Sequence, residues 1–284
     1  MAASPYSIDS SNRKIDPYRN PDSALKPDGT PDDNDRVEIG PTDLAFAEWE
    51  ALGLEIPHLD TMREFRLQRL VQELQARDYG GIVLFDPLNI RYATDSTNMQ
   101  LWITHNPARA CFVSADGYIV LFDFHSCEHL SDHLPLVKER RHGASFFYFE
   151  SAHRGEEHAM YFAKNIDELM RSHSVDNRRL VVDKIEISGL RALEKMGFEV
   201  FEGQAVTEEA RVIKGPDEIK AMRCSIAACE AAMYEMEVAC EAGKSENEIW
   251  SVLHAGNIKR GGEWLETRIF SSGPRTNPWF QESG

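Results

Sequence analysis

Ile82-Val83-Leu84-Phe85-Asp86-Pro87-Leu88-Asn89-Ile90-Arg91-Tyr92-Ala93-Thr94 reads as a buried strand cut off at a turn. Four consecutive apolar residues, with Gly80-Gly81 before them and Asp86-Pro87 after, fit a strand covered on both faces. Upstream, Asp60 reads as an N-cap. Met62, Leu67, Leu70, Val71 and Leu74 then recur at helical spacing up to the glycine pair. Downstream, Ala110–Val113 and Tyr118–Phe122 flank Ser114-Ala115-Asp116-Gly117, a hairpin signal with Asp-Gly in the turn. Phe146–Phe149 reads as a further strand, Glu156–Arg171 as a helix and Leu180–Asp183 as a strand. Ile187–Met196 reads as a helix closed by Gly197, and Phe198–Val200 as a strand. Strands alternating with helices predict an α/β domain with a mixed sheet over residues 60–209.

Residues 1–59 differ in kind. The first sixty residues hold seven prolines and thirteen acidic residues against five basic ones. This acidic, Pro-rich arm cannot bury much surface alone. Its one periodic piece, Leu44–Trp49, predicts a helix that docks on the folded body. At the other end, residues 210–284 form a second domain. Pro216–Ala242 predicts a long helix, with Ile219, Met222, Ile226, Cys229, Met233, Met236 and Cys240 on one face, read as core. Ser245-Glu246-Asn247-Glu248 is a capping box for a helix running to about Lys259. Leu265–Phe270 reads as a strand leading into a Gly/Pro/Asn-rich loop. Two helices and one strand make a poor independent core, so the chain is expected to be a truncated part of a longer protein.

Composition narrows the function classes. Of 284 residues, 42% are hydrophobic, and the net charge is −16. That charge argues against nucleic acid and anionic membranes as partners, since phosphate binding needs a basic face. There is no apolar run of membrane-spanning length and no secretory signal. Cys111, Cys127, Cys224, Cys229 and Cys240 are odd in number with no CxxC pair, which predicts reduced thiols and a cytoplasmic location.

Few motifs carry chemistry. His125-Ser126-Cys127-Glu128-His129 matches H-x-x-E-H, which on a helix would put two zinc-binding histidines on one face. A five-residue match is weakly specific, and a polar helix start with solvent-facing histidines is the better reading. Asp33-Asn34-Asp35 is a D-x-D in the Pro-rich arm, where a solvated turn explains it. Glu230, Glu263, Glu266 and His254 sit in no ligand pattern. The run from Asn89 to Trp102 is too long for a plain connector and carries Tyr92, Asn98 and Trp102. Such loops contact ligands or partner chains. The alternative is that Trp102 packs on its own domain.

Two stretches carry a family resemblance. Phe85–Thr94 resembles the strand-end segment of creatinase and prolidase N-terminal domains. Glu209-Ala210-Arg211-Val212-Ile213-Lys214-Gly215-Pro216-Asp217-Glu218-Ile219-Lys220-Ala221-Met222-Arg223 resembles the entry to their catalytic domain. The chain is thereby identified as a member of the pita-bread superfamily of creatinase, prolidase and aminopeptidase P. The implied fold is a creatinase-like α/β N-terminal domain followed by the first part of an α+β catalytic domain. Within the superfamily, Asp33–Pro41, Asp95–Trp102 and Asn277–Glu282 are most similar to its dimethylsulfoniopropionate lyases.

The resemblance implies a metal-dependent β-elimination yielding dimethyl sulfide and acrylate. It also implies a homodimer, a sulfonium zwitterion as substrate and a divalent metal, iron in this family. The metal ligands and catalytic residues are expected downstream of Gly284, so none is assigned in this chain, and the chain by itself is expected to be inactive. Where the peptidases carry a Pro-His-aromatic pattern, this sequence reads Pro278-Trp279-Phe280. An imidazole is lost and an indole face suited to a cation replaces it. A core or dimer-contact role explains Trp279 equally well. Trp102, Trp279, Tyr92 and Asn98 are the expected substrate-binding residues. The rival readings are an Xaa-Pro peptidase or creatinase-type hydrolase of the same fold, a non-catalytic dimerisation or binding module, and a zinc hydrolase built on His125 and His129.

Overall fold

A computed structural model describes residues 40–125, 127–175, 177–263, 265–277 and 282. In chain order the helices are α1 (Asp43–Ala51), α2 (Leu59–Ala76), α3 (Pro87–Thr94), α4 (Gln100–Ile103), α5 (Tyr148–Ser151), α6 (Gly155–His173), α7 (Ile187–Lys195), α8 (Gln204–Val212), α9 (Pro216–Val238) and α10 (Glu246–Ile258). The strands are β1 (Gly81–Leu84), β2 (Ala110–Ser114), β3 (Ile119–Phe122), β4 (Val137–Arg141), β5 (Arg179–Val182) and β6 (Glu199–Glu202). The described residues divide into two compact units: 59–215, and 40–58 together with 216–277.

The first unit is a mixed sheet of order β4-β3-β2-β1-β5-β6. β2 is antiparallel to both β1 and β3, while β1/β5, β3/β4 and β5/β6 pair in parallel. The two-residue period of the strands sorts their side chains. Val83, Phe112, Val120, Phe122 and Leu180 face α6 and α7, meeting Phe162, Ile166 and Leu193. Ile82, Leu84, Cys111, Val113, Leu121 and Val181 face the other way, onto Leu70 and Leu74 of α2, Ile90 of α3 and Val206 of α8. Helices on both faces explain why the central strands read as unbroken apolar runs. The β2–β3 turn is as expected: Gly117 takes φ +88°, and the Tyr118 amide donates to Ser114 Oγ at 2.9 Å.

Several expectations fail for definable reasons. Asp60 is not an N-cap. α2 starts at Leu59, and Asp60 lies in its first turn, accepting from Arg63 at 3.2 Å. The Asn89–Trp102 run is not one loop, because Asp86 caps α3 through the Leu88 amide (2.9 Å) with Pro87 at the helix start. Phe146–Phe149 is not a strand. Phe146 plugs the core, and the chain turns into α5. The strand there is β4, Val-Lys-Glu-Arg-Arg, whose inward positions are Val137, Glu139 and Arg141. Arg141, 1% exposed, is neutralised by Glu139 and Glu168, each at 2.6 Å. Buried ion pairs thus replace the apolar alternation that sequence reading looks for.

In the second unit α10 packs on α9. Gly256 permits the approach, since a Cβ there would lie 2.8 Å from the Ala232 Cβ. α1 docks as expected, with Ala45 and Trp49 buried against Cys224 and Ala227. Arg260 bridges Glu48 (2.7 Å) and Glu235 (2.8 Å), tying α1, α9 and α10 together. The capping box forms, with Ser245 Oγ accepting from the Glu248 amide at 3.3 Å. α9 ends at Val238, short of Ala242. Its Met- and Cys-bearing face is not core: Ile219, Met222, Ile226 and Met233 are 40–53% exposed, and Cys229 and Cys240 are exposed too. The strand expected at Leu265–Phe270 is absent. A strand needs a hydrogen-bonding neighbour, and the described residues of this unit contain none.

Candidate functional site

The connection from α3 through α4 to β2 is held from below by a buried ion pair. Arg109 and Asp123 are 0% and 1% exposed at their side chains, and Arg109 Nη2 lies 2.9 Å from Asp123 Oδ2. Arg109 also donates to the Ser96 carbonyl (3.4 Å) and to Ser96 Oγ. Asp123 accepts from Asn98 Nδ2 at 3.1 Å and from the Phe124 amide at 2.8 Å. Two charges taken out of water repay that cost only when their remaining hydrogen-bonding capacity is used, and here it is used to fix the loop. Thr94 Oγ1 donates to the Ile90 carbonyl and accepts from the Ser96 amide. Asp95, at φ 64°, ends α3 and pairs with Arg63 at 2.8 Å.

On this support stands an aromatic wall. The Trp102 ring lies 5.8 Å from Phe124, 6.3 Å from Phe147 and 6.5 Å from Phe149. Phe147 is buried, whereas Phe149 and Tyr148 are 80% and 70% exposed. Edge-on and tilted rings of this kind leave π faces able to take a cation.

Asn98 and Trp102 therefore converge on the Asp123-Phe124 segment. Tyr92 has other neighbours: its hydroxyl donates to the Ala210 carbonyl of α8 at 3.0 Å, and Arg66 lies over its ring. Trp279 lies outside the described residues, as do Asp33 and Asp35. The H-x-x-E-H register does not form. His125 is in a turn and Glu128–Ser131 is a 3-10 helix, so no α-helical face carries the motif. Among the described residues, no group of three or more His, Cys, Asp or Glu side chains is placed to hold a metal ion. The described residues therefore do not fit the divalent metal that the resemblance implies. None of the described helices is long and apolar enough to cross a membrane.

Sequence reading missed two polar centres. One is Arg109–Asp123, whose signal was a charged residue bracketing each end of an apolar hairpin. The other is Asp183, at the end of β5. Asp183 accepts from the Phe85 amide (2.8 Å), the Asp86 amide (3.0 Å) and Asn89 Nδ2 (3.0 Å). Burial raises its carboxyl above the ordinary value despite these donors. Cys111 is fully buried, and burial pushes its thiol far up.

No protein-family model matches the chain. It is 55% identical over 280 residues to the dimethylsulfoniopropionate lyase DddP of Roseovarius nubinhibens, covering 97% of this chain and 62% of that protein. It is 53% identical over 277 residues to the protein of the same name in Roseobacter denitrificans, covering 96% and 61%. The chain thus spans about three-fifths of the length of these curated relatives. A dipeptidase from Pyrococcus horikoshii superposes with TM-score 0.51 at 17% identity, over 68% of this chain and 49% of that one. At that identity the likeness shows the fold alone, and it is the pita-bread peptidase architecture that the resemblance implied.

Proposed function

We propose that the whole protein to which this sequence belongs is a dimethylsulfoniopropionate lyase and that the present chain is its front part. The observation carrying this reading is the 55% identity, sustained over 280 residues, to a protein of that name. The 17% identity to a dipeptidase supports no shared chemistry.

In the proposed reaction a base removes a proton from the carbon next to the substrate carboxylate. The electron pair forms the new C=C bond as the C–S bond breaks. Dimethyl sulfide leaves as a neutral molecule and acrylate remains. A divalent metal, iron in the resembled family, would hold the substrate carboxylate, but the described residues form no such site. The base, like the metal ligands, belongs to the continuation of the chain in this proposal. A homodimer in the cytoplasm completes the reading. The uncovered apolar face of α9 is what a continuing polypeptide would be expected to cover.

Within this chain the proposal gives Trp102 the sulfonium-facing role, with Trp279 as a second indole. Asn98 acts through Asp123 by holding the loop. A cation over an indole face is worth ~0.5–2 kcal/mol. Trp102→Ala in the whole protein is therefore expected to raise KM for dimethylsulfoniopropionate about tenfold with a smaller change in kcat. Unchanged KM and kcat would remove Trp102 from the site. The activity itself is tested by offering dimethylsulfoniopropionate and Xaa-Pro dipeptides in parallel. Headspace dimethyl sulfide with no dipeptide cleavage is expected, and dipeptide cleavage without dimethyl sulfide would establish the peptidase alternative.

A further inference from the structure

β1 and β5 lie side by side and parallel, with Gly81, Ile82 and Val83 opposite Leu180, Val181 and Val182. The chain leaves β1 into α3 on one face of the sheet and, after β5, enters α7 on the other. Parallel strands whose following helices part to opposite faces open a crevice at their carboxyl ends, the usual ligand position in open α/β sheets. Here that crevice is a polar cavity of about 310 Å³, lined by residues that include Asp86, Asn89, Asp183, Lys184 and Arg211. Its size falls at the lower edge of small-molecule sites, which run roughly 300–1,000 Å³.

One wall atom points to a ligand. Asn89 is 9% exposed, and its Nδ2 is committed to Asp183 Oδ2 at 3.0 Å. That bond fixes the amide orientation and leaves Oδ1 as a buried acceptor with no hydrogen-bond partner among the described residues. Buried polar atoms are rarely left so. The missing partner must be a donor. The same cavity carries two basic side chains, each paired with a carboxylate that also lines it: Lys184 with Asp86 at 3.2 Å and Arg211 with Glu208. Both can turn to an anionic group.

We propose that this crevice binds a small molecule carrying a primary ammonium and a carboxylate, a free α-amino acid, at a site separate from the aromatic wall. The ammonium donates to Asn89 Oδ1, and Lys184 and Arg211 take the carboxylate. A sulfonium has no N–H and cannot satisfy Asn89, so the ligand class differs from the substrate proposed above.

The test screens the protein L-amino acids one at a time against the 284-residue chain by thermal shift. Isothermal titration of the strongest responder follows, with acetate, methylammonium and dimethylsulfoniopropionate as control ligands. Saturable one-site binding of at least one amino acid is expected, with none by the controls. Lys184→Gln, a substitution at a part-exposed position, is expected to weaken it about tenfold while the melting temperature of the free chain stays unchanged. Asn89→Leu is expected to abolish it. The proposal is overturned if no amino acid binds, if acetate binds as well as the amino acid, or if binding survives both substitutions.

Discussion

Single residues carry the placement of the candidate site. Asp123 is the partner of a fully buried guanidinium and the acceptor for Asn98. Asp123→Ala would strand Arg109 without a countercharge and is expected to cost about 3–5 kcal/mol in urea unfolding. A loss below about 1 kcal/mol would mean the pair is open to water. Asp167 makes a different prediction. Partial burial works against its ionised form, but hydrogen bonds from Arg171 (2.8 Å) and Arg178 hold its carboxyl below the ordinary range. A depressed carboxyl stabilises the fold above the unfolded-state value of about 3.9 and loses that contribution as pH falls through the folded value. The stability gap between the wild type and Asp167→Asn should therefore be full at neutral pH and shrink as the solution is taken below pH about 4. Urea midpoints across that range measure it, and a gap that widens toward acid would contradict the sign.

Among the elements, the sequence was most readable where burial is simple. β1, β2, β3 and β5 announce themselves because both of their faces are covered by helices. α10 is legible from its capping box. β4 was not, because Glu139 and Arg141 occupy inward positions that ion pairs neutralise. The run carrying Asn98 and Trp102 stands out by its length and residue types, whereas α3 within it is hidden because its cap, Asp86-Pro87, has the same residues as a plain turn. The face of α9 misled in the opposite sense. Apolar spacing shows that a face is meant to be covered and says nothing of what covers it. Here Ile226 and Met233 are 53% and 50% exposed. Replacing both with Glu is expected to change the stability of this chain by less than about 1 kcal/mol and to lower its self-association in sedimentation. A loss well above about 2 kcal/mol would mean the face is already buried in solution.

For the molecule as a whole, the chain spans about three-fifths of the relatives' length, and it supplies a scaffold with an aromatic wall and no metal-holding group among the described residues. The proposed chemistry therefore stands or falls on the whole protein. Proton NMR of that protein incubated with dimethylsulfoniopropionate reads the outcome directly. Elimination predicts vinyl signals of acrylate rising one for one with dimethyl sulfide. The appearance of 3-hydroxypropionate in their place, the product of water displacing the sulfide, or an unchanged substrate spectrum beside hydrolysed dipeptide, would contradict the lyase assignment.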